Sequence, residues 1–133
     1  MINLREVYGK RYKIGIDPSW DAETPENRTW CRQHGEELYY YELLGKHGQL
    51  YNHSDTHLQM WIKPRLGSRL YRAIPPGWRV HQNASDGYAF VLPNSDIGLA
   101  FKWIKPRKKR IGRNDPKTLE HLRQIRLARK IQP

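Results

Sequence analysis

Four residues in this chain have the spacing of zinc ligands. Cys31 and His34 are three apart in "CRQH", and His53 and His57 are four apart in "HSDTH". One thiolate and three imidazoles can close a tetrahedral shell around Zn²⁺ and staple a small domain. A single cysteine makes a softer set than a pair, and "NHSDTH" also reads as a polar turn. Surface or hydrogen-bonded histidines are therefore the expected state, with no metal and no cofactor. His47 and His81 add imidazoles without adding a pattern. Metal-dependent phosphodiester cleavage would need acidic or histidine ligands around one or two cations. Asp17, Glu36, Glu37, Glu42, His53 and Asp55 are present, but they form no catalytic spacing, and no glycine-rich phosphate loop occurs. The expectation is a non-enzyme without a small-molecule substrate, with a metal-dependent nuclease ranked below two binding functions.

A second chemistry is electrostatic. Lys105 to Arg113, "KPRKKRIGR", holds six basic residues in nine, and Pro106 and Gly112 break regular structure. An extended segment of this kind can follow a phosphate backbone by ion pairing without reading bases. Asp115-Pro116 then offers an N-cap and a preset first helical residue. No further Gly or Pro occurs before Lys130, which predicts a helix. Leu122, Ile125 and Ala128 line one side of it and Arg123, Arg126 and Lys130 another. Such a helix is marginal alone in water and can order on binding nucleic acid or protein. The candidate nucleic-acid contacts are Lys102, Lys105, Arg107, Lys108, Lys109, Arg110, Arg113, Lys117, Arg123, Arg126 and Lys130. The apolar side of the helix is thin and no aromatic residue occurs after Trp103, which argues against a membrane surface.

Two resemblances attach to these residues. "KTLEHLRQIRLARK", Lys117 to Lys130, resembles the short modular DNA-binding helix appended to some phage and homing nucleases. In that helix a Ser/Thr-x-Glu-His-like start precedes alternating apolar and basic residues, and the likeness covers about a tenth of the chain. The chain as a whole is similar to small basic bacterial proteins of no assigned function, through His47-Gly48, the hairpin around Asn83 to Gly87, and the basic run after Pro106. The first likeness implies DNA contact; the second implies no activity.

The distribution of charge agrees with this reading. The chain has 133 residues and a formal net charge of +11. Residues 1–101 hold 12 Lys/Arg against 11 Asp/Glu, whereas residues 102–133 hold 12 against Asp115 and Glu120. A nearly neutral body with a strongly basic extension is the signature of a polyanion-binding arm. One cysteine excludes an internal disulfide framework, and no run approaches the apolar length of a membrane span. The opening Met-Ile-Asn-Leu-Arg-Glu lacks the apolar core of a signal peptide, so a cytoplasmic protein is expected.

The elements that must position these residues can be read from periodicity. Tyr12 to Ile16 alternates and ends at Asp17-Pro18, a first strand. "PSWDAETPENRTW" is polar with two prolines and reads as a loop. Leu38 to Leu44, a Gly45 to Gly48 turn and Gln49 to Tyr51 read as one hairpin; Trp78 to Gln82 and Tyr88 to Leu92 read as a second. Arg65 to Ile74 predicts a short helix stopped by Pro75-Pro76-Gly77. Asn94-Ser95-Asp96 predicts an N-cap, after which Ile97, Ala100, Phe101 and Ile104 form an apolar helical face that Pro106 ends. Trp-Ile-Lys-Pro-Arg occurs twice, at Trp61 to Arg65 and at Trp103 to Arg107. Duplication of a strand–helix unit would explain it, as would coincidence plus shared helix-stop chemistry; the first copy also alternates like a strand. At least one of Tyr39, Tyr40 and Tyr41 must point away from the core. It could stack on an unpaired base, but covering the core edge is the expected role.

The expected fold is α+β: a small antiparallel or mixed sheet of about five strands with one or two short helices over residues 1–104. A basic extension with a C-terminal helix occupies residues 105–133. The expected function is non-catalytic binding of nucleic acid, DNA or RNA, alone or within a protein–nucleic acid complex. The alternative is a phage- or mobile-element-type interaction module, an inhibitor or accessory subunit of a nucleic-acid enzyme, whose neutral body grips a protein.

Overall fold

Burial alternates along Gly48–Asn52 and His57–Ile62: Leu50, Asn52, Leu58, Met60 and Ile62 turn inward, and the residues between them stay partly exposed. A period of two is what a sheet covered on one face requires. The computed structural model describes residues 1–109, and these segments form the centre of a six-stranded sheet. Its strands are β1 (Ile14–Ile16), β2 (Tyr41–Leu44), β3 (Gly48–Asn52), β4 (His57–Ile62), β5 (Arg79–Ala84) and β6 (Gly87–Pro93). They lie in the order β1-β2-β3-β4-β6-β5, every neighbouring pair antiparallel. The helices of the described residues are α1 (Leu4–Tyr8), α2 (Ser19–Ala22), α3 (Pro25–His34), α4 (Pro64–Arg72) and α5 (Ile97–Ile104). The α+β class expected from the sequence is the observed one.

Helices α1, α4 and α5 cover the inner face. Leu4, Leu70, Ala100 and Ile104 meet Leu43, Leu50, Leu58, Met60, Phe90 and Leu92 in one apolar cluster. Burying each large side chain stabilises the fold by about 1.5–3 kcal/mol. The apolar face expected on α5 is present: Ala100 and Ile104 are fully buried, and Ile97 and Phe101 pack partly buried against the cluster. Phe101 turns its ring edge-on to Tyr8 and Tyr12, with centroids 5.1 and 5.5 Å away. The expected cap of α5 is used differently. Residues Asn94–Asp96 form a 3₁₀ turn, and Asp96 Oδ2 accepts from Trp78 Nε1 at 2.9 Å instead of capping the helix.

Both expected hairpins exist. In the second, Ala84 pairs with Gly87 across Ser85-Asp86, with a register shift between Val80 and Gln82. The first is shorter than expected. Only Tyr41–Leu44 joins the sheet, because Glu36–Tyr40 is a 3₁₀ turn. The buried Asn52 holds that turn by donating from Nδ2 to Leu38 O at 3.1 Å and Ile2 O at 2.8 Å, while its Oδ1 accepts from Ile2 N at 3.2 Å.

One expectation is corrected, one helix was missed, and one open alternative is decided. The stretch expected as a loop after Pro18 contains α2 and most of α3. Thr24 caps α3 by accepting from Asn27 N at 3.2 Å, Pro25 occupies its first turn, and Gly35 ends it at φ 72°. Those are ordinary start and stop signals, but α3 buries only Cys31, so no apolar stripe announced it. Helix α1 was missed too, though Asn3 Oδ1 accepts from Glu6 N at 3.1 Å as an N-cap. The repeated pentapeptide is no structural repeat. Its first copy ends β4 and starts α4, with Pro64 in the first turn; its second ends α5, with Pro106 beyond it.

Candidate nucleic-acid interface

Pro106 lacks the amide hydrogen that would extend α5, and Lys105, at φ 50° and ψ 84°, turns the chain out of the helix. Residues 106–109 run beside the end of the β1–β2 ladder, hydrogen-bonded to β2 and to the segment just before β1. Arg107 N donates to Leu44 O at 2.9 Å, Lys13 N to Arg107 O at 2.9 Å, and Lys109 N to Arg11 O at 2.8 Å. Tyr12 faces Lys108 and Gly45 faces Pro106 as antiparallel bridges. The root of the expected arm is thus fixed to the body. It lays Arg107, Lys108 and Lys109 beside Arg11 and Lys13, all exposed.

The β2–β3 turn closes over the same end. Lys46 N donates to Lys105 O at 2.9 Å, His47 N to Ile104 O at 3.0 Å, and Lys63 N to His47 O at 3.0 Å. Burial lowers the His47 pKa below its ordinary 6.5, and the neighbouring Lys105, Lys46 and Lys63 lower it further. The imidazole is therefore neutral at pH 7 and joins the cations only in acid.

The acidic residues are gathered elsewhere. Loops and turns at the opposite end of the strands carry Asp17, Glu36, Glu37, Asp55 and Asp96, whereas those at the basic end carry Asp86 as their one acid among the described residues. The near-neutral sum for the body therefore conceals a separation of charge along the strands. Such an arrangement leaves the described part of the basic end with an excess of cations available to an outside anion.

Of the contacts expected from the sequence, Lys105, Arg107, Lys108 and Lys109 lie in this cluster, and Lys102 is exposed on α5, which ends there. Arg110, Arg113, Lys117, Arg123, Arg126 and Lys130 lie outside the described residues, as does the expected C-terminal helix. Sequence reasoning missed Lys10, Arg11, Lys13, Lys46 and Lys63. They come from three separate stretches, and only the ladder bonds bring them together. It also missed Arg65, Arg69 and Arg72, exposed on α4 at a visible i, i+4, i+7 spacing.

The low-ranked zinc set does not assemble. Among the described residues, no three His, Cys, Asp or Glu side chains are grouped to hold a metal ion. Cys31 is buried in α3. His34 Nδ1 contacts Trp30 O at 2.8 Å, and its ring stacks on Trp30 at 4.2 Å. His53 Nδ1 pairs with Gln59 Oε1 at 3.1 Å, and His57 Nδ1 pairs with Thr56 Oγ1 at 2.7 Å. Each of these three imidazoles already has a local partner.

The nuclease set likewise forms no metal-holding group among the described residues, although Asp17 and Glu42 lie together. These two share a pocket of about 360 Å³ on the outer face with Tyr39, Gln49, Tyr51 and Trp61. Burial raises the Glu42 pKa above its ordinary 4.5, and the Asp17 carboxylate raises it further. A raised carboxyl pKa favours folding below 4.5, and that contribution is lost as pH rises through the folded value. Glu42→Gln is therefore expected to be more stable than the parent at pH 7 and to lose that advantage at pH 4. Thermal midpoints at the two pH values check this; a variant less stable at pH 7 contradicts it.

The three consecutive tyrosines divide: Tyr41 packs partly buried against the core cluster, and Tyr39 lines the outer-face pocket. Tyr40 lies against Trp20 at 4.8 Å and donates to Glu23 Oε1 at 3.3 Å, and the Arg5 guanidinium sits 5.9 Å above the Tyr41 ring. No protein-family model, curated protein or solved structure gives a significant match to this chain.

Proposed function

We propose that this chain binds nucleic acid without catalysis, through the basic end of its sheet together with the basic segment that leaves it. The observation that carries the reading is the pairing of residues 107–109 with 11–13. It spends three backbone hydrogen bonds on holding like charges side by side, with Lys46 and Lys63 beside them. Exposed cations repel only weakly through water, and among the described residues Asp86 is the one loop or turn acid at that end, which leaves a cationic excess for an external polyanion to offset. Phosphates at such a surface release counterions from DNA or RNA, and the contacts carry no base code. The reading is of a sequence-tolerant binder whose register is set by the folded body.

A second reading is a protein-interaction module, and the outer-face pocket favours it. Two carboxylates beside Tyr39, Tyr51 and Trp61 suit a cationic side chain of a partner.

The deciding experiment replaces Lys10, Lys13, Lys46 and Lys108, all exposed, with Gln. Affinity for a duplex DNA and for a single-stranded RNA is then titrated at several salt concentrations. Each phosphate contact contributes a slope of about 0.9 on duplex DNA, so the variant is expected to lose about 3–4 units of slope, to a similar extent across sequences. Unchanged affinity and slope would sink the nucleic-acid reading and leave the protein-interaction module.

A further inference from the structure

Beside the basic end lies a groove of about 680 Å³ between α4 and the β5–β6 hairpin. One wall is Arg65, Arg69 and Arg72; the other includes Asn83 and Ser85, with Tyr88 also in the lining. Among the described residues, no carboxylate lines it. At a rise of about 1.5 Å per residue, the three arginines extend along about 10 Å of helix.

The ordinary explanation of such a row is a solvated helix face, and it fits two of the three. Arg69 and Arg72 stand in the last turn, where cations suit the helix dipole. Arg65 stands in the first turn, where the dipole disfavours a cation, and no acidic residue is present there. Arg65 and Arg69 are also like charges four apart, an arrangement that destabilises a helix on its own. An anion in the groove would remove both penalties, and a guanidinium presents paired donors that match a phosphate. Asn83 and Ser85 supply side-chain hydrogen-bond donors from the facing wall.

We infer that this groove is a second phosphate-binding site, which takes further phosphates of the same nucleic-acid strand that the basic end holds. The inference rests on the proposed function. The connection is Lys63: its backbone is bonded to His47 in the basic end, and Pro64 and Arg65 directly after it line the groove. A strand lying on residues 11–13 and 107–109 reaches the arginines by crossing Lys46 and Lys63.

The test uses the full chain with Arg65, Arg69 and Arg72 all changed to Gln, titrated with a labelled duplex across salt concentrations. The expected result is a drop of about 2–3 units of slope, from about 0.9 per lost contact, and at least a tenfold loss of affinity near physiological salt. The corresponding Lys variant, which keeps the charge, is expected to recover most of the slope. A second measurement needs no variant: oligonucleotide is expected to protect these arginines of the parent chain from phenylglyoxal modification. Inorganic phosphate at the same phosphate concentration is expected not to protect them. If the Gln variant keeps its slope and the arginines stay reactive in the complex, the groove is no site, and the basic end stands or falls on its own lysine variants. Protection by inorganic phosphate equal to that by the oligonucleotide would also overturn the inference, because the groove would then take single anions.

Discussion

A chain ended at Ile104 is expected to be less stable than one ended at Lys109 by about 2–6 kcal/mol, at about 0.5–1.5 kcal/mol for each of four backbone hydrogen bonds. The four counted join the segment to elements other than α5: Lys46 N to Lys105 O, Arg107 N to Leu44 O, Lys13 N to Arg107 O and Lys109 N to Arg11 O; the last bond of α5, Lys105 N to Phe101 O, is lost with them. Their loss also exposes the end of the β1–β2 ladder, the outer edge of the sheet. An opposing effect is relief of repulsion, since the shorter chain lacks Lys105, Arg107, Lys108 and Lys109. Exposed charges in salt interact by well under about 1 kcal/mol per pair, so the hydrogen bonds decide the sign. Urea midpoints of the two chains check this, and equal midpoints would show that the segment contributes nothing to the fold. The expected difference matters for function as well. Deleting everything after Ile104 would weaken binding partly by loosening the body, so point changes at exposed lysines are the cleaner probe.

The legible part of this fold was its long-period signal. Glycine turns between strand-favouring runs marked the hairpins that became β2–β3 and β5–β6, and the helical spacing of Ile97, Ala100 and Ile104 marked α5; β3 buries every second residue, whereas β6 buries Ala89 to Leu92 in an unbroken run. The illegible part has little burial to betray it. Helix α3 is held by its Thr24 cap and Gly35 stop, and it offers the core only Cys31. The pentapeptide Trp-Ile-Lys-Pro-Arg shows the limit of local reading. Its proline opens one helix and lies beyond the end of another, and what differs is the tertiary setting: strand β4 before the first copy, α5 containing the start of the second.

The candidate interface divides in the same way. A run such as Lys105 to Lys109 is visible in sequence, so its cations were found. Lys13 and Lys46 belong to the same surface only because β1 and the β2–β3 turn meet the segment after α5. Summing charge over residues 1–101 concealed this, because antiparallel strands return Asp17, Asp55 and the Glu36–Glu37 pair to one end of the sheet and Lys13, Lys46 and Lys63 to the other. The sum is a property of composition, and the separation is a property of topology.

Gly48 and Gly98 give the sharpest test of how that end is built, because the same change to Ala should move stability in opposite directions. A Cβ on Gly48 would lie 1.9 Å from Trp61 O and 3.0 Å from Ile62 Cα. Both are backbone atoms of β4 and cannot rotate away, so β3 must separate from β4 at its first residue. Overpacking typically costs about 1–3 kcal/mol and occasionally more, and the backbone neighbour puts Gly48→Ala near about 3 kcal/mol. A Cβ on Gly98, in α5, meets nothing within 4 Å. There the change removes backbone freedom from the unfolded chain, and Gly98→Ala is expected to add up to about 1 kcal/mol. The two should also differ in binding. The turn ending at Gly48 holds Lys46 to Lys105 and His47 to Lys63 and Ile104 through backbone hydrogen bonds. Moving it pulls Lys46 away from its neighbours, so Gly48→Ala should bind nucleic acid more weakly even at temperatures where it remains folded. Gly98→Ala should bind as the parent does. Thermal melts paired with binding titrations separate these effects. If Gly48→Ala matched Gly98→Ala in stability, the close approach of β3 and β4 would be wrong; if it lost stability but bound normally, the turn would hold up the fold without shaping the interface.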